Sequence, residues 1–288
     1  MKRALVLGGG GPVGVAWEIG LLAGLLDAGI DIRSADLVIG TSAGSVVGSH
    51  IAYGKDPRDL IDGFTDAPGR RTGSASAPPR DTAAAAETFG LWASYDEMTP
   101  ARCAEVGRFA LAARTISEDE WVAGFIHSEP DPWPPMPYVA VAVDCESGEM
   151  RAFDATQGVD LRRAIAASCA VPALFPPVTI EGHRYMDGGV HSGTSADLAL
   201  HITPDAVLII APLGSNDRGI GALCRRQIAH EKAALEAAGA HVVVVHMDDA
   251  ALAASPNGLM DASARGPVAA AGRVHGLRLA PQLSSLWN

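Results

Sequence analysis

Leu37-Val38-Ile39 leads without a break into Gly40-Thr41-Ser42-Ala43-Gly44 and on into Ser45-Val46-Val47-Gly48. The order reads as strand, abrupt turn and helix, the context in which G-x-S-x-G becomes a nucleophile elbow. A turn that sharp pushes the serine hydroxyl out of the backbone. The flanking glycines remove the Cβ atoms that would collide there, and glycine accepts the φ values such a turn needs. The helix that follows aims its unpaired N–H groups and positive dipole end at charge developing near Ser42. A chain rich in Gly and Ala also produces G-x-S-x-G by chance, so the segment has to be weighed with the rest of the sequence.

The preceding residues repeat the pattern. Ala4-Leu5-Val6-Leu7 is a short buried strand and Gly8 to Pro12 a loop. Val13, Trp17, Leu21 and Leu25 then recur at helical spacing, predicting a helix over 13–28 that stops at Gly29. Strand–helix–strand–helix alternation implies an α/β fold with a mainly parallel sheet covered by helices. Residues 65 to about 90 interrupt the rhythm. The run Ala67-Pro68-Gly69 through Ala77-Pro78-Pro79 is small, polar and punctuated, a surface loop or a lid.

Helices are expected over 100–114 and 118–125, and a Pro-rich connector over 129–137 leads into a strand at 138–143. A strand at 150–153 comes next, and Asp160 is placed to N-cap a helix over 161–167. Glu181-Gly182 marks a hairpin turn. The near-continuous apolar runs at 206–211 and 241–246 suit strands buried on both faces, joined by a helix over 218–238. No repeat or boundary divides the chain. The expectation is one domain over 1–288 with a cap or lid insertion at about 65–135.

Composition excludes several functions. With 288 residues, 48% of them hydrophobic, the chain can bury a large core. A formal net charge of −11 and the lack of any basic run argue against nucleic acid as a partner. They also argue against electrostatic adhesion to anionic membranes, though not against transient apolar contact with a membrane surface. Cys103, Cys145, Cys169 and Cys224 form no C-x-x-C pair, so neither a zinc site nor a disulfide framework is expected. Lys2 and Arg3 before an apolar stretch imitate a signal peptide, but Gly8 to Gly11 end that stretch after one strand. The expected location is cytoplasmic.

Two further segments bear on chemistry. Gly9-Gly10-Gly11-Pro12-Val13-Gly14 is a G-x-G-x-x-G that follows a strand and opens a helix. This is also the dinucleotide fingerprint, with Asp27 or Asp31 available for a ribose. In a hydrolase the bare amides of Gly9, Gly10 and Gly11 would instead converge on an oxyanion, where one donor is worth roughly 3–4 kcal/mol; Pro12 has no N–H to give. Asp187-Gly188-Gly189 closes the hairpin. By itself it is a turn signature; with the elbow and the glycine loop it suggests an aspartate acting directly on Ser42 as general base. A conventional triad needs a histidine after the acid, and His246, at the end of a strand, is the rival base. Trp92, Phe89 and Trp121 are candidates for an apolar acyl groove.

In this order, the glycine loop at 9–14, the Gly40–Gly44 elbow and Asp187-Gly188-Gly189 resemble the patatin-like phospholipase family in its bacterial form. The block Ala167-Ser168-Cys169-Ala170-Val171-Pro172-Ala173-Leu174-Phe175-Pro176-Pro177 is similar to the family's helix-to-proline segment. The similarity covers roughly 3–55 and 138–211; the cap region and the C-terminal tail carry no pattern of this family. The resemblance implies a three-layer α/β/α sandwich and a Ser–Asp dyad without histidine. It also implies hydrolysis of lipid acyl esters with neither cofactor nor metal. Ser42 would be the nucleophile, Asp187 its base, and Gly10 and Gly11 the oxyanion donors, with Gly9 shaping the loop. Gly14, Gly40, Gly44, Gly188 and Gly189 would complete the motifs. One position departs: Val13 stands where the family commonly carries Arg or Lys, which weakens any grip on a lipid phosphate there. The rival readings are a Ser–His–Asp esterase, a dinucleotide-binding protein and an inactive scaffold.

Overall fold

The computed structural model describes residues 1–65, 82–125 and 132–287. The first half contains β1 (Arg3–Leu7), α1 (Gly11–Asp27), β2 (Leu37–Thr41), α2 (Ala43–Ala52) and α3 (Pro57–Thr65), then α4 (Thr82–Ala93), α5 (Pro100–Ala112) and α6 (Glu118–Ala123). The second half contains β3 (Tyr138–Asp144), β4 (Met150–Phe153), α7 (Leu161–Ser168), β5 (Val178–Ile180) and β6 (His183–Asp187). It ends with β7 (Ala206–Ile210), α8 (Gly219–Ala237), β8 (His241–Val245), α9 (Asp249–Ala253) and α10 (Arg265–Trp287).

Local chemistry accounts for many of these boundaries. Thr99 caps α5 with Pro100 behind it, Ser117 and Glu120 form a capping box on α6, and Asp160 caps α7 through the Arg163 amide. At the hairpin, Glu181 and Gly182 both have positive φ (51° and 85°), the twist that a two-residue connection requires.

Hydrogen-bonded neighbours run in the order β5-β6-β3-β2-β1-β7-β8, with β4 on β3. Strands β3, β2, β1, β7 and β8 are parallel, whereas β4, β5 and β6 enter antiparallel. Alternate residues of β1 serve two cores. Leu5 and Leu7 join α1, α2, α7 and α10 on one face, while Ala4 and Val6 join α8 on the other. This is the expected three-layer α/β/α arrangement.

Two stretches differ from the sequence reading. The loop expected up to about residue 90 is helical from Thr82, where α4 packs with α5 against Val143 and Met186; the punctuated run at 67–79 lies outside the described residues. The insertion is also divided between faces. Its helices α4 and α5 lie on the α8 side, whereas Trp121 and Val122 of α6 join the α1 side. The C-terminal tail, which showed no motif, forms α10 against α1. Gly20 and Gly24 of α1 face the carbonyls of Ala269 and Arg273, and Gly272 and Gly276 face those of Trp17 and Leu21. A Cβ at any of the four would come within 2.1–2.6 Å of that backbone. Small residues one turn apart on both helices let the backbones touch.

Candidate active site

The register around β3 brings the two candidate catalytic residues together. One edge of β3 pairs along Ala140–Val143 with β4. The other edge must therefore carry both remaining partners, β2 first and β6 next. Thr41 pairs with Val141, and Asp187 pairs with the following residue, Ala142. The two strands approach each other head-on along one edge, so the residue after Thr41 emerges beside Asp187.

That residue, Ser42, has φ 52° and ψ −116°, a left-handed backbone that a non-glycine residue adopts at a cost of about 1–3 kcal/mol. The elbow leaves no room at its glycines. A Cβ on Gly40 would lie 2.5 Å from the Gly44 carbonyl oxygen, and one on Gly44 would lie 2.0 Å from the Leu7 carbonyl oxygen. Ser42 stands at the N-cap of α2 but makes no capping hydrogen bond with its side chain, so the hydroxyl is not consumed there.

The block after α7 supports both residues. The Ser168 hydroxyl oxygen accepts the Ser42 N–H at 2.9 Å, the Cys169 thiol donates to the Ser42 carbonyl at 3.2 Å, and the Ala170 carbonyl accepts the Asp187 N–H at 3.0 Å. Burial pushes the Cys169 thiol up, which keeps it protonated as a donor.

Asp187 is 3% exposed. Its Oδ1 accepts the Gly189 N–H at 2.8 Å, and its Oδ2 has no hydrogen-bond partner. Burial pushes the carboxyl up to about 7, with the nearby Ser42 hydroxyl and the Gly189 amide pulling it down. No formed hydrogen bond joins the Ser42 hydroxyl to Asp187 Oδ2, and contacts between a nucleophile and its base often tighten only once substrate is bound.

The glycine bend abuts the serine; a Cβ on Gly9 would lie 3.6 Å from Ser42 Cβ. The amide of Gly9 donates to the Gly193 carbonyl at 2.8 Å. This corrects its inclusion among the oxyanion donors: its N–H is already engaged within the fold. Among the described residues, the Gly10 and Gly11 amides make no backbone hydrogen bond. Gly14 lies 3.3 Å, by the same Cβ measure, from Ala43, tying α1 to the elbow, and Gly188 presses on the Val141 carbonyl. Val13 is fully buried in the core rather than facing the site.

A cavity of about 610 Å³ opens on Ser42 and Gly11. Val15, Val46, Leu60, Trp121, Phe125 and Phe175 give it apolar walls, and His50, Asp59 and Arg265 supply polar groups. Trp121 stacks on Phe175 at 3.9 Å between ring centroids and is held by its indole N–H on the Ala166 carbonyl at 2.9 Å. Phe89 and Trp92, the other candidates for this wall, belong to the cluster on the opposite face.

The remaining candidates lie elsewhere. His246 directly follows β8, three strands from β2 and so roughly 14 Å across the sheet, with its Nδ1 3.2 Å from the Ala211 carbonyl. Asp27 pairs with Arg273 at 2.7 Å and Asp31 with Arg33 at 2.8 Å, so both acids suggested for a ribose are engaged in ion pairs. Among the described residues, no three His, Cys, Asp or Glu side chains converge as a metal site, and no helix is long and apolar enough to cross a membrane.

The family model for patatin-like phospholipase matches residues 5–200. The chain belongs to the patatin-like phospholipase family. It is 29% identical to patatin-like phospholipase domain-containing protein 6 of Mus musculus over 217 residues, 74% of this chain and 14% of that protein. It is 27% identical over 215 residues to an uncharacterized NTE family protein of Mycobacterium tuberculosis, covering 70% of this chain and 49% of that one. The chain thus spans about one seventh of the mammalian relative's length. Among solved structures it is similar to VipD from Legionella pneumophila, with a TM-score of 0.49, 12% identity and coverage of 98% of this chain and 67% of that chain.

Proposed function

We propose that the chain is a lipid acyl hydrolase, a single domain that cleaves fatty-acyl esters with a Ser42–Asp187 dyad. The observation that carries this reading is the unpartnered Oδ2 of a buried Asp187 beside a strained Ser42 that opens on an apolar cavity. Ser42 Oγ attacks the ester carbonyl while Asp187 Oδ2 accepts its proton, and the proton passes on to the departing alkoxide. The developing oxyanion takes the Gly10 and Gly11 amides, next to the N-terminus of α2. Water deprotonated by Asp187 then attacks the acyl-serine, releasing the fatty acid and regenerating the hydroxyl.

A carboxyl held near neutrality is a better base for this chemistry than an ordinary aspartate at about 3.9. The apolar walls of the cavity suit an acyl chain, and the expected substrate class is a phospholipid or another fatty-acyl ester. The position of His246 disfavours a triad, and the ion-paired Asp27 and Asp31 disfavour a dinucleotide.

The test is release of p-nitrophenol from short and long acyl esters, together with labelling by a fluorophosphonate. Wild-type activity that falls to background in Ser42→Ala, with label on Ser42 alone, is the expected result. Activity that survives Ser42→Ala would sink the mechanism.

A further inference from the structure

The segment after Asp187 does more than leave the site. It runs beneath the glycine bend, where the Gly193 carbonyl accepts the Gly9 N–H at 2.8 Å. One residue on, the Thr194 carbonyl faces the hydroxyl of Thr41, the residue before Ser42, at 3.5 Å. One short strap therefore touches the base, the bend and the approach to the nucleophile. Its backbone is not relaxed, since Ser195 sits at φ 50°, and such a residue persists only where its surroundings impose it.

Those surroundings come from α8. Glu231, 9% exposed, accepts the Ser192 hydroxyl on Oε1 at 2.5 Å. Its Oε2 accepts the Thr194 hydroxyl at 2.5 Å and the Ala196 N–H at 3.0 Å. The Ser192 oxygen in turn accepts the amides of Thr194 at 3.2 Å and Ser195 at 3.1 Å. Gln227, one turn earlier on α8, donates to the His191 carbonyl. Burial pushes the Glu231 carboxyl up, and these three donors oppose it.

We propose that Glu231 is a positioning residue for the reaction. By clamping residues 192–196 it fixes the Gly193 carbonyl, and through it the distance between the oxyanion bend and Ser42. The assignment rests on the hydrolase reading above. Glutamine cannot replace it. With its amide nitrogen in the place of Oε2, it opposes the Ala196 N–H. With that nitrogen in the place of Oε1, it opposes the Ser192 hydroxyl, whose oxygen already accepts two amides and must donate.

The experiment compares p-nitrophenyl ester kinetics and Tm for the wild type, Glu231→Gln, Thr194→Val and Leu235→Ala. Leu235 lies one turn further along α8, fully buried in the apolar cluster that also holds Ala196 and Ala199, and carries no polar group for the clamp. In Glu231→Gln, kcat is expected to fall roughly 10–100-fold with KM little changed, the signature of misplaced groups rather than lost binding. Thr194→Val removes one donor, keeps the shape, and should move kcat the same way by a smaller factor, so it carries the test if Glu231→Gln does not fold. Leu235→Ala should lower Tm and leave kcat per folded molecule unchanged. Unchanged kcat in both clamp variants, or an equal kcat loss in Leu235→Ala at matched Tm, would overturn the positioning role alone. Absence of Ser42-dependent hydrolysis in the wild type would overturn the hydrolase reading itself.

Discussion

Glu231 on α8 and Glu18 on α1 are carboxylic acids buried on opposite faces of one sheet, and their surroundings are opposite too. Glu231 has both oxygens filled by three donors. Glu18 is fully buried, and neither oxygen has a hydrogen-bond partner. Burial raises the Glu18 carboxyl well above the ordinary range. Asp187 lies between these extremes, with one oxygen satisfied and one open. Burial alone thus does not decide what a carboxyl does. A full set of donors makes it a clamp, an empty set favours the neutral acid, and a half-filled set leaves a base with somewhere to put a proton.

The two faces are also held differently. On the α8 face, side-chain hydrogen bonds fix a loop. On the α1 face, glycine-lined backbones touch directly, and the space left over becomes the cavity.

The most severe way to break the contrast is at its midpoint. Asp187→Asn fills the open position with an amide that cannot take the proton, and kcat should fall by roughly 10³–10⁴. The wild-type rate should rise with pH through about 7 and level off above it, because only the deprotonated carboxylate accepts the Ser42 proton. A profile centred near an ordinary aspartate value would remove the role of burial.

A smaller effect is expected from Gly20→Ala, whose Cβ would lie 2.1 Å from the Ala269 carbonyl oxygen. Forcing α10 off α1 should cost about 1–3 kcal/mol, read as a lower midpoint in urea. No change in the midpoint would mean that α10 yields freely and that the backbone contact is not what holds this face.

The smallest effect is at Glu18. Its folded-state pKa lies above the unfolded one, so its contribution to stability is complete while both states are protonated. That contribution is lost as pH rises past the ordinary glutamate value, about 4.3, toward the folded one. Gln does not titrate. The Tm difference between Glu18→Gln and the wild type should therefore grow in favour of the variant as pH rises above about 4.3. A difference that stays flat would show that Glu18 ionises in the fold with a partner.

Much of this architecture is legible in the chain. Asp160 caps a helix with its own side chain and Glu181-Gly182 turns a hairpin, because each device acts within a few residues. Helix α4 was hidden by the polar run before it, and α10 by the absence of a strong apolar stripe. Gly272 and Gly276 of α10 stand at the same spacing as Gly20 and Gly24 of the helix they meet. Glu231 had no local signal; it is one more charged residue on a mixed helix until its partners arrive from thirty-five or more positions away.

From the residues alone came the elbow at Ser42, the bare bend at Gly9 to Gly11 and an aspartate at the end of a hairpin, since turn sterics and missing side chains are local properties. The folded molecule decided that β2 and β6 share one edge of β3, that Gly9 gives its amide to Gly193, and that Trp121 rather than Trp92 faces the cavity. Those are matters of which distant segments become neighbours. Strand register and the desolvation that comes with packing set them, and no short stretch of sequence carries either.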